Sequence, residues 1–162
     1  MDALTKALSL AEIGCHVFPV RITEDGSKVP CLPKRDGGNG HLDATDDVEQ
    51  IAQWFQNEYP DAHVGVHTGR SGLNVLDRDR KYDEAGNVTK DGFLSLEEEW
   101  LFPPETFHYP SASGRGQHDI YLAPENAVLN GQADYRKLPG VDRRAGSSWI
   151  LWAGNTVPET RD

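Results

Sequence analysis

Three short stretches of this 162-residue chain carry residues whose types and spacing can do chemistry. The first is Leu73-Asn74-Val75-Leu76-Asp77-Arg78-Asp79-Arg80-Lys81, an apolar run ending in two aspartates one residue apart. On a strand, successive side chains alternate between faces, so Asp77 and Asp79 share one face and Arg78 takes the other. Their Cα atoms then stand about 6.5–7 Å apart, within joint reach of one or two divalent cations. Oxygen donors without cysteine suit Mg2+ or Mn2+ rather than zinc. Two such ions about 3.5–4 Å apart can hold the attacking and leaving oxygens of a phosphoryl displacement. Taken alone, the stretch is read at least as well as a hydrated strand end or a salt-bridge patch.

The second stretch is Ser111-Ala112-Ser113-Gly114-Arg115-Gly116-Gln117-His118, followed by the strand-like Asp119-Ile120-Tyr121-Leu122. Gly114 and Gly116 allow close approach of the backbone and can turn N–H groups toward an anion. Ser113 adds a hydroxyl and Arg115 a forked donor matched to phosphate. A hairpin turn explains the glycines equally well. His118 falls on the strand face of Ile120 and Leu122, where a hydrogen-bonded core histidine is the competing reading. The third stretch is Pro139-Gly140-Val141-Asp142-Arg143-Arg144-Ala145-Gly146. Asp142 can complete a carboxylate triad with Asp77 and Asp79, and Arg144, on the same face, can answer phosphate charge. Singly, Asp142 reads better as a surface ion pair.

These residues need elements to position them. Leu4, Leu8, Leu10 and Ala11 predict a helix over 2–14, stopped at Gly14, and a strand follows over 15–20. Residues 23–43 read as one long loop, which is uncommon in a compact domain unless it has a task. A helix over 47–57, capped by Thr45 or by Asp46 in a capping box with Glu49, would bury Val48, Ile51, Ala52 and Phe55. His63–His67 and 73–77 read as two strands joined by a turn at 68–72, residues 80–91 as a polar loop, and 92–101 as a short helix. Short β-like runs follow at 107–110, 118–122, 137–143 and 148–152. The fold class is α+β, with helices against a mostly antiparallel or mixed sheet.

Composition sets the outer limits. The length is that of one domain, and 37% hydrophobic with 26% charged residues is a globular composition. No apolar run is long enough to span a bilayer, and Asp2, Lys6 and Glu12 interrupt any signal-peptide core, so a cytoplasmic location and no membrane partner are expected. Cys15 and Cys31 supply neither a disulfide framework nor a zinc site; two reduced thiols are expected. A net charge of −10 argues against nonspecific coating of nucleic acid. Basic residues nevertheless gather locally at Lys28, Lys34 and Arg35, at Arg78, Arg80 and Lys81, and at Arg136, Lys137, Arg143 and Arg144. Acidic runs lie at 43–47 and at Glu97, Glu98 and Glu99. A basic cleft in an acidic body and a merely solvated surface both fit.

Taken in order, the strand-borne DxD, the SGxGxH at a strand start and the GVDxR resemble the three motifs of the archaeo-eukaryotic primase superfamily. The likeness is to the bifunctional primase/polymerase domain at the N-terminus of phage and plasmid replication proteins. Further markers are the first helix running into Gly14-Cys15-His16-Val17-Phe18-Pro19-Val20, Lys28 with Pro30, and Ala44-Thr45-Asp46 with Ile51 and Trp54. Val64-Gly65-Val66-His67-Thr68-Gly69 and Trp149 complete the set, so nearly the whole chain is covered. The resemblance implies an RRM-like catalytic sheet beside a smaller α/β unit. It also implies a catalytic domain over 1–154; the remaining residues, 155–162, form a polar tail whose composition suits a linker to a further domain. By position, Asp77, Asp79 and Asp142 become ligands of two Mg2+ or Mn2+ ions. Ser113 and His118, with the Gly114 and Gly116 backbone, hold a nucleoside triphosphate, and Arg115 and Arg144 are further phosphate contacts. The implied partners are a single-stranded DNA template, dNTP or NTP, and a helicase domain or protein, in the host cytoplasm if phage-encoded. The chain departs from many relatives in having no recognisable zinc element, and some primase activities also need a separate helical module after the catalytic domain. Two rival readings are a catalytically inactive DNA-binding module of a replication initiator and a DxD glycosyltransferase. The β-rich second half disfavours the glycosyltransferase.

Overall fold

A computed structural model describes residues 1–162. Helix α1 (Ala3–Glu12) begins where the Asp2 carboxylate accepts the Thr5 N–H at 2.8 Å, satisfying one of the donors a helix start leaves free. Its Ala7 and Leu10 are fully buried. They lie against a first antiparallel sheet in which β1 (Val17–Ile22) pairs with β2 (Lys28–Pro30) on one side and β3 (His63–His67) on the other. Strand β10 (Trp149–Leu151) closes the far edge of β3. The stretch expected as one long loop thus contains β2, followed by two 3-10 turns, Lys34–Asp36 and Gly40–Asp43.

Helix α2 (Val48–Ala52) continues into a widened final turn of π form, Gln53–Glu58, where the Tyr59 N–H reaches back to the Trp54 carbonyl at 2.7 Å. Its cap is Asp47, which accepts the Glu49 N–H at 3.0 Å, while Thr45 accepts the Asp47 N–H at 3.1 Å. The expected Asp46 capping box is therefore replaced by two overlapping side-chain turns one residue further on. Ile51, Trp54 and Phe55 are buried, but Val48, at the first helical position, stays 60% exposed.

Strand β4 (Leu73–Arg78) follows β3 through the expected turn at 68–72, but the two strands do not pair: β4 belongs to a second antiparallel sheet. The turn between them is committed elsewhere. Thr68 N–H and Oγ bond the Ser148 carbonyl, and the Gly69 N–H bonds the Gly146 carbonyl. A Cβ on Gly69 would stand 2.6 Å from that Gly146 oxygen. The second sheet runs β7 (His108–Pro110), β8 (Gln117–Leu122), β4, β9 (Val141–Arg144). Residues 80–91, expected as a loop, form a hairpin of β5 (Arg80–Tyr82) and β6 (Val88–Asp91) around a turn that Asp83 and Asn87 close by mutual hydrogen bonds. The Asp91 carboxylate then caps α3 (Gly92–Glu98).

One main core of twenty buried residues joins the two sheets, because β4 contributes Leu73 and Val75 and β7 contributes Tyr109 to the cluster built on Phe18, Val64 and Ile51. The 155–162 tail, expected as a free linker, packs back. The Trp152 Nε1–H donates to the Thr156 carbonyl, and Arg161 donates to the carbonyls of Ile13, Gly14 and Ser71. Both cysteines are free thiols, Cys15 buried and Cys31 half-buried. No helix is long and apolar enough to cross a membrane.

Gly65 sits across from Phe18 in the first sheet, and a Cβ there would come within 2.5 Å of the Phe18 ring. Gly65→Ala should cost about 1–3 kcal/mol by overpacking, read as a lower midpoint of urea unfolding.

Candidate active site

The second sheet puts one residue from each of its four strands in a single row. Tyr109 of β7 stands opposite His118 of β8, His118 opposite Asp77 of β4, and Asp77 opposite Asp142 of β9. Residues directly opposite in antiparallel strands share a face, so two of the three sequence stretches meet β4 at its charged end. Arg144, one step along β9 on that face, lies with Nε 3.6 Å from Asp77 and Nη2 3.3 Å from Asp142. It supplies the shared cation for two carboxylates that would otherwise repel.

His118 is 8% exposed and fixed from behind. The Tyr109 hydroxyl donates its only proton to the Leu151 carbonyl at 3.1 Å. The 3.0 Å contact between that hydroxyl and His118 Nδ1 is therefore donated by the histidine. Nε2 is left facing Asp77 Oδ1 at 3.6 Å. Burial raises the Tyr109 pKa well above that of a free phenol, with the charge of Asp77 adding to it, so Tyr109 stays a neutral donor. Burial acts on Asp77 in the direction of a higher pKa, but its contact with His118 and the charges of Arg144 and Lys28 outweigh it and hold the carboxyl below 3.8. Lys28, on β2 of the other sheet, adds its charge from across the frontier between the two sheets.

Asp79 lies just past the end of β4. Its N–H donates to the Gly140 carbonyl and its carbonyl accepts the Gly92 N–H, both at 2.8 Å. A Cβ on Gly116 would meet Asp79 Oδ1 at 3.1 Å, Ser111 Oγ at 3.2 Å and the Arg78 carbonyl at 2.3 Å. Gly116 is thus required by the backbone of β4, and the Asp79 carboxylate lies over it, toward the serine loop. The fit to a divalent cation can be judged from these donors. Asp77 and Asp142 present hard oxygen donors, although Asp142 Oδ1 already accepts the Asp134 N–H at 2.9 Å and its Oδ2 pairs with Arg144; the Asp79 carboxylate has no ion pair in the protein. No three His, Cys, Asp or Glu side chains are gathered into a ready cage. Oxygen donors of this kind suit a hard cation, and Asp79 lies beyond the end of β4, off the row in which Asp77 stands opposite Asp142.

The loop at 111–116 is the hairpin turn joining β7 and β8, with Gly114 in the left-handed region. The sequence reading gave its N–H groups to an anion, but they are engaged internally. Gly114 donates to the Ser111 carbonyl, Arg115 to Ser113 Oγ and Gly116 to Ser111 Oγ. What the loop presents outward is the exposed Ser113 side chain and the Arg115 guanidinium, which lies 5.0 Å above the Tyr82 ring.

Arg78 takes the opposite face, as alternation requires. It pairs with Asp119, which is 2% exposed, at 2.6–2.7 Å, and Gln117 Nε2 donates to the other carboxylate oxygen at 2.6 Å. The sequence reading missed Asp119 and Tyr109. A charged residue within the strand run Gln117–Leu122 was the available signal for Asp119; nothing local marked Tyr109, whose partners are 9 and 42 residues away.

The profile of the bifunctional DNA primase/polymerase N-terminal family matches residues 7–162. The chain belongs to this family. No curated protein matches it. Membership gives the domain a primase/polymerase type of function, with DNA and nucleotides as substrates and divalent metals generally used.

Tyr109→Phe removes the acceptor of the buried His118 Nδ1–H and should cost about 1–3 kcal/mol, measured by urea unfolding. A group held below its unfolded pKa contributes stability that is complete above that value, about 3.9 for aspartate, and that is lost as pH falls through the lower folded value. Asp77→Asn should therefore flatten the fall in stability between about pH 5 and pH 2, seen as converging unfolding midpoints of variant and wild type on the acid side.

Proposed function

We propose that the domain is a template-directed nucleotidyltransferase that extends, and starts, a strand on single-stranded DNA within a phage or plasmid replication protein. The observation that supports this best is the in-register row His118, Asp77, Asp142 on three adjacent strands, built from the three separate motif stretches. The sheet β7-β8-β4-β9 is assigned as the RRM-like catalytic sheet of the family, and the sheet containing β1 as its smaller α/β companion.

Asp77 and Asp142, joined by Asp79, would hold Mg2+ or Mn2+. Bound there, such ions screen the phosphate oxygens and favour the ionised form of an attacking 3′-hydroxyl. The residues of the chain do the rest. Ser113 at the tip of the β7–β8 turn and His118 at its base bind the triphosphate, His118 through Nε2, the nitrogen left free once Nδ1 is committed to Tyr109. Arg115 and Arg144 add forked donors for phosphate oxygens. The Gly114 and Gly116 N–H groups can join only by exchanging their present bonds to the Ser111 carbonyl and hydroxyl. Lys28, whose charge already reaches Asp77, is assigned to the template or nucleotide from across the frontier. With a chain charge of −10, grip on DNA is assigned mainly to a partner, a helicase domain or protein.

The decisive assay is incubation with single-stranded template, Mg2+ or Mn2+ and dNTP or NTP, with and without a primer. Asp77→Asn or Asp142→Asn should reduce nucleotide addition at least about 100–1,000-fold while circular dichroism is unchanged. Undiminished extension would refute the assignment. His118→Ala should act chiefly on KM for the nucleotide; an unchanged KM would remove His118 from the triphosphate.

A further inference from the structure

The face of the second sheet turned away from Asp77 and Asp142 is covered by α3, where Leu96 packs with Leu76, Leu138 and Val141. Past the end of α3 two large aromatics stand in solvent. Trp100 is 81% exposed and Phe102 71%, with their rings edge to face at 6.3 Å. Together with Leu94, itself 48% exposed, they border a groove of about 690 Å³ whose floor includes Phe93 and Leu101.

The backbone makes this exposure informative. Helix α3 ends with the Leu101 N–H on the Leu96 carbonyl at 2.9 Å and the Trp100 N–H on the Glu97 carbonyl at 3.0 Å. This is the paired closure that usually places glycine at the left-handed position. Here that position is Trp100, at φ 53°. A side chain in this conformation costs about 1–2 kcal/mol, and at 81% exposure the indole recovers little of it by burial. The fold would be served better by glycine, so the tryptophan answers to something outside the fold.

Its neighbours indicate what. Glu97, Glu98 and Glu99 immediately precede it, all exposed, and none takes part in an ion pair. Exposed aromatics can stack on bases, but phosphates would here meet three carboxylates that form no salt bridge, Glu99 alone having Arg136 and Lys137 across a neighbouring cavity. A chain offering apolar side chains flanked by lysine or arginine satisfies both features. We propose that this back face docks a cationic amphipathic helix of a partner protein, with its apolar stripe on Trp100, Phe102 and Leu94 and its basic residues toward Glu97, Glu98 and Glu99. Docking there leaves the catalytic row on the opposite face open. The inference does not depend on the chemistry assigned to that row.

The test uses the full chain and a fluorescent synthetic helix of leucine and lysine with leucines at i, i+3, i+4 and i+7 spacing, alongside its glutamate counterpart. Anisotropy should show salt-sensitive binding of the lysine helix and none of the glutamate helix. Trp100→Gly should weaken binding at least about tenfold, the loss expected of an aromatic anchor, with an unfolding midpoint equal to or above wild type and unchanged primer extension. Glu97→Lys with Glu98→Lys should weaken it likewise. Equal binding by Trp100→Gly, or no binding by wild type, overturns the proposal. So does a lower unfolding midpoint for Trp100→Gly, which would return the residue to the fold. Self-association of wild type in sedimentation that Trp100→Gly abolishes would assign the patch to a second copy of the chain. Loss of single-stranded DNA binding in Trp100→Gly would assign it to nucleic acid. Either result overturns the helix proposal.

Discussion

Strand β4 pairs with β8 on one side and β9 on the other, in antiparallel registers that both pass through Asp77. Register in a sheet is an all-or-none constraint, because a slip of one residue carries every side chain to the opposite face. Were β4 to slip by one against β8, Arg78 would enter the row with His118 and Asp77 would meet the apolar packing beneath α3. The buried pair of Arg78 with Asp119 on the back face and the polar row on the front face therefore hold each other in place. Val75 and Leu73, two and four residues before Asp77, tie the same strand into the main core, so hydrophobic burial fixes where the charged end can lie.

Placing Asp77 directly opposite Asp142 sets like charges side by side, an unfavourable cross-strand pair. Arg144, along β9, lies within reach of both carboxylates, and His118 faces Asp77 from β8. His118 is itself fixed through Tyr109 and the Leu151 carbonyl of the first sheet. The orientation of a group on one sheet thus depends on the backbone of the other. Membership of the primase/polymerase family and this geometry are consistent, since phosphoryl transfer asks for charges held in place more than for a reactive nucleophile.

Much of this was legible from the chain. Alternation along 73–79 separated Asp77 from Arg78, and the structure shows them on opposite faces. The spacing of Ile51 and Phe55 marked a helix whose face is buried, although the cap lies at Asp47 and Val48 is exposed. The hairpin at Arg80–Asp91 was missed because it is exposed and polar on both faces, so no apolar alternation marks it. The turn at 68–72 was legible, but that it sends β3 and β4 to different sheets was not, because its side-chain and N–H groups bond residues near 146–148, far along the chain. The apparent linker at the end is docked by Arg161 for the same reason: its acceptors, Ile13, Gly14 and Ser71, are visible only once the chain has folded back.

The sequence by itself marked the strands that carry apolar runs, β1, β3, β4 and β8 among them, and the faces that Asp77 and Arg78 take, because alternation and turn chemistry act over a few neighbouring residues. Family membership follows from the same local motifs. Tertiary structure alone decided that Asp142 and His118 flank Asp77 in one row, that Asp79 lies off that row and that the serine loop bonds its own N–H groups. It also decided that Trp100 remains in solvent. These depend on pairings between segments tens of residues apart, and sheet register, set by the whole core, is the quantity that no local pattern contains.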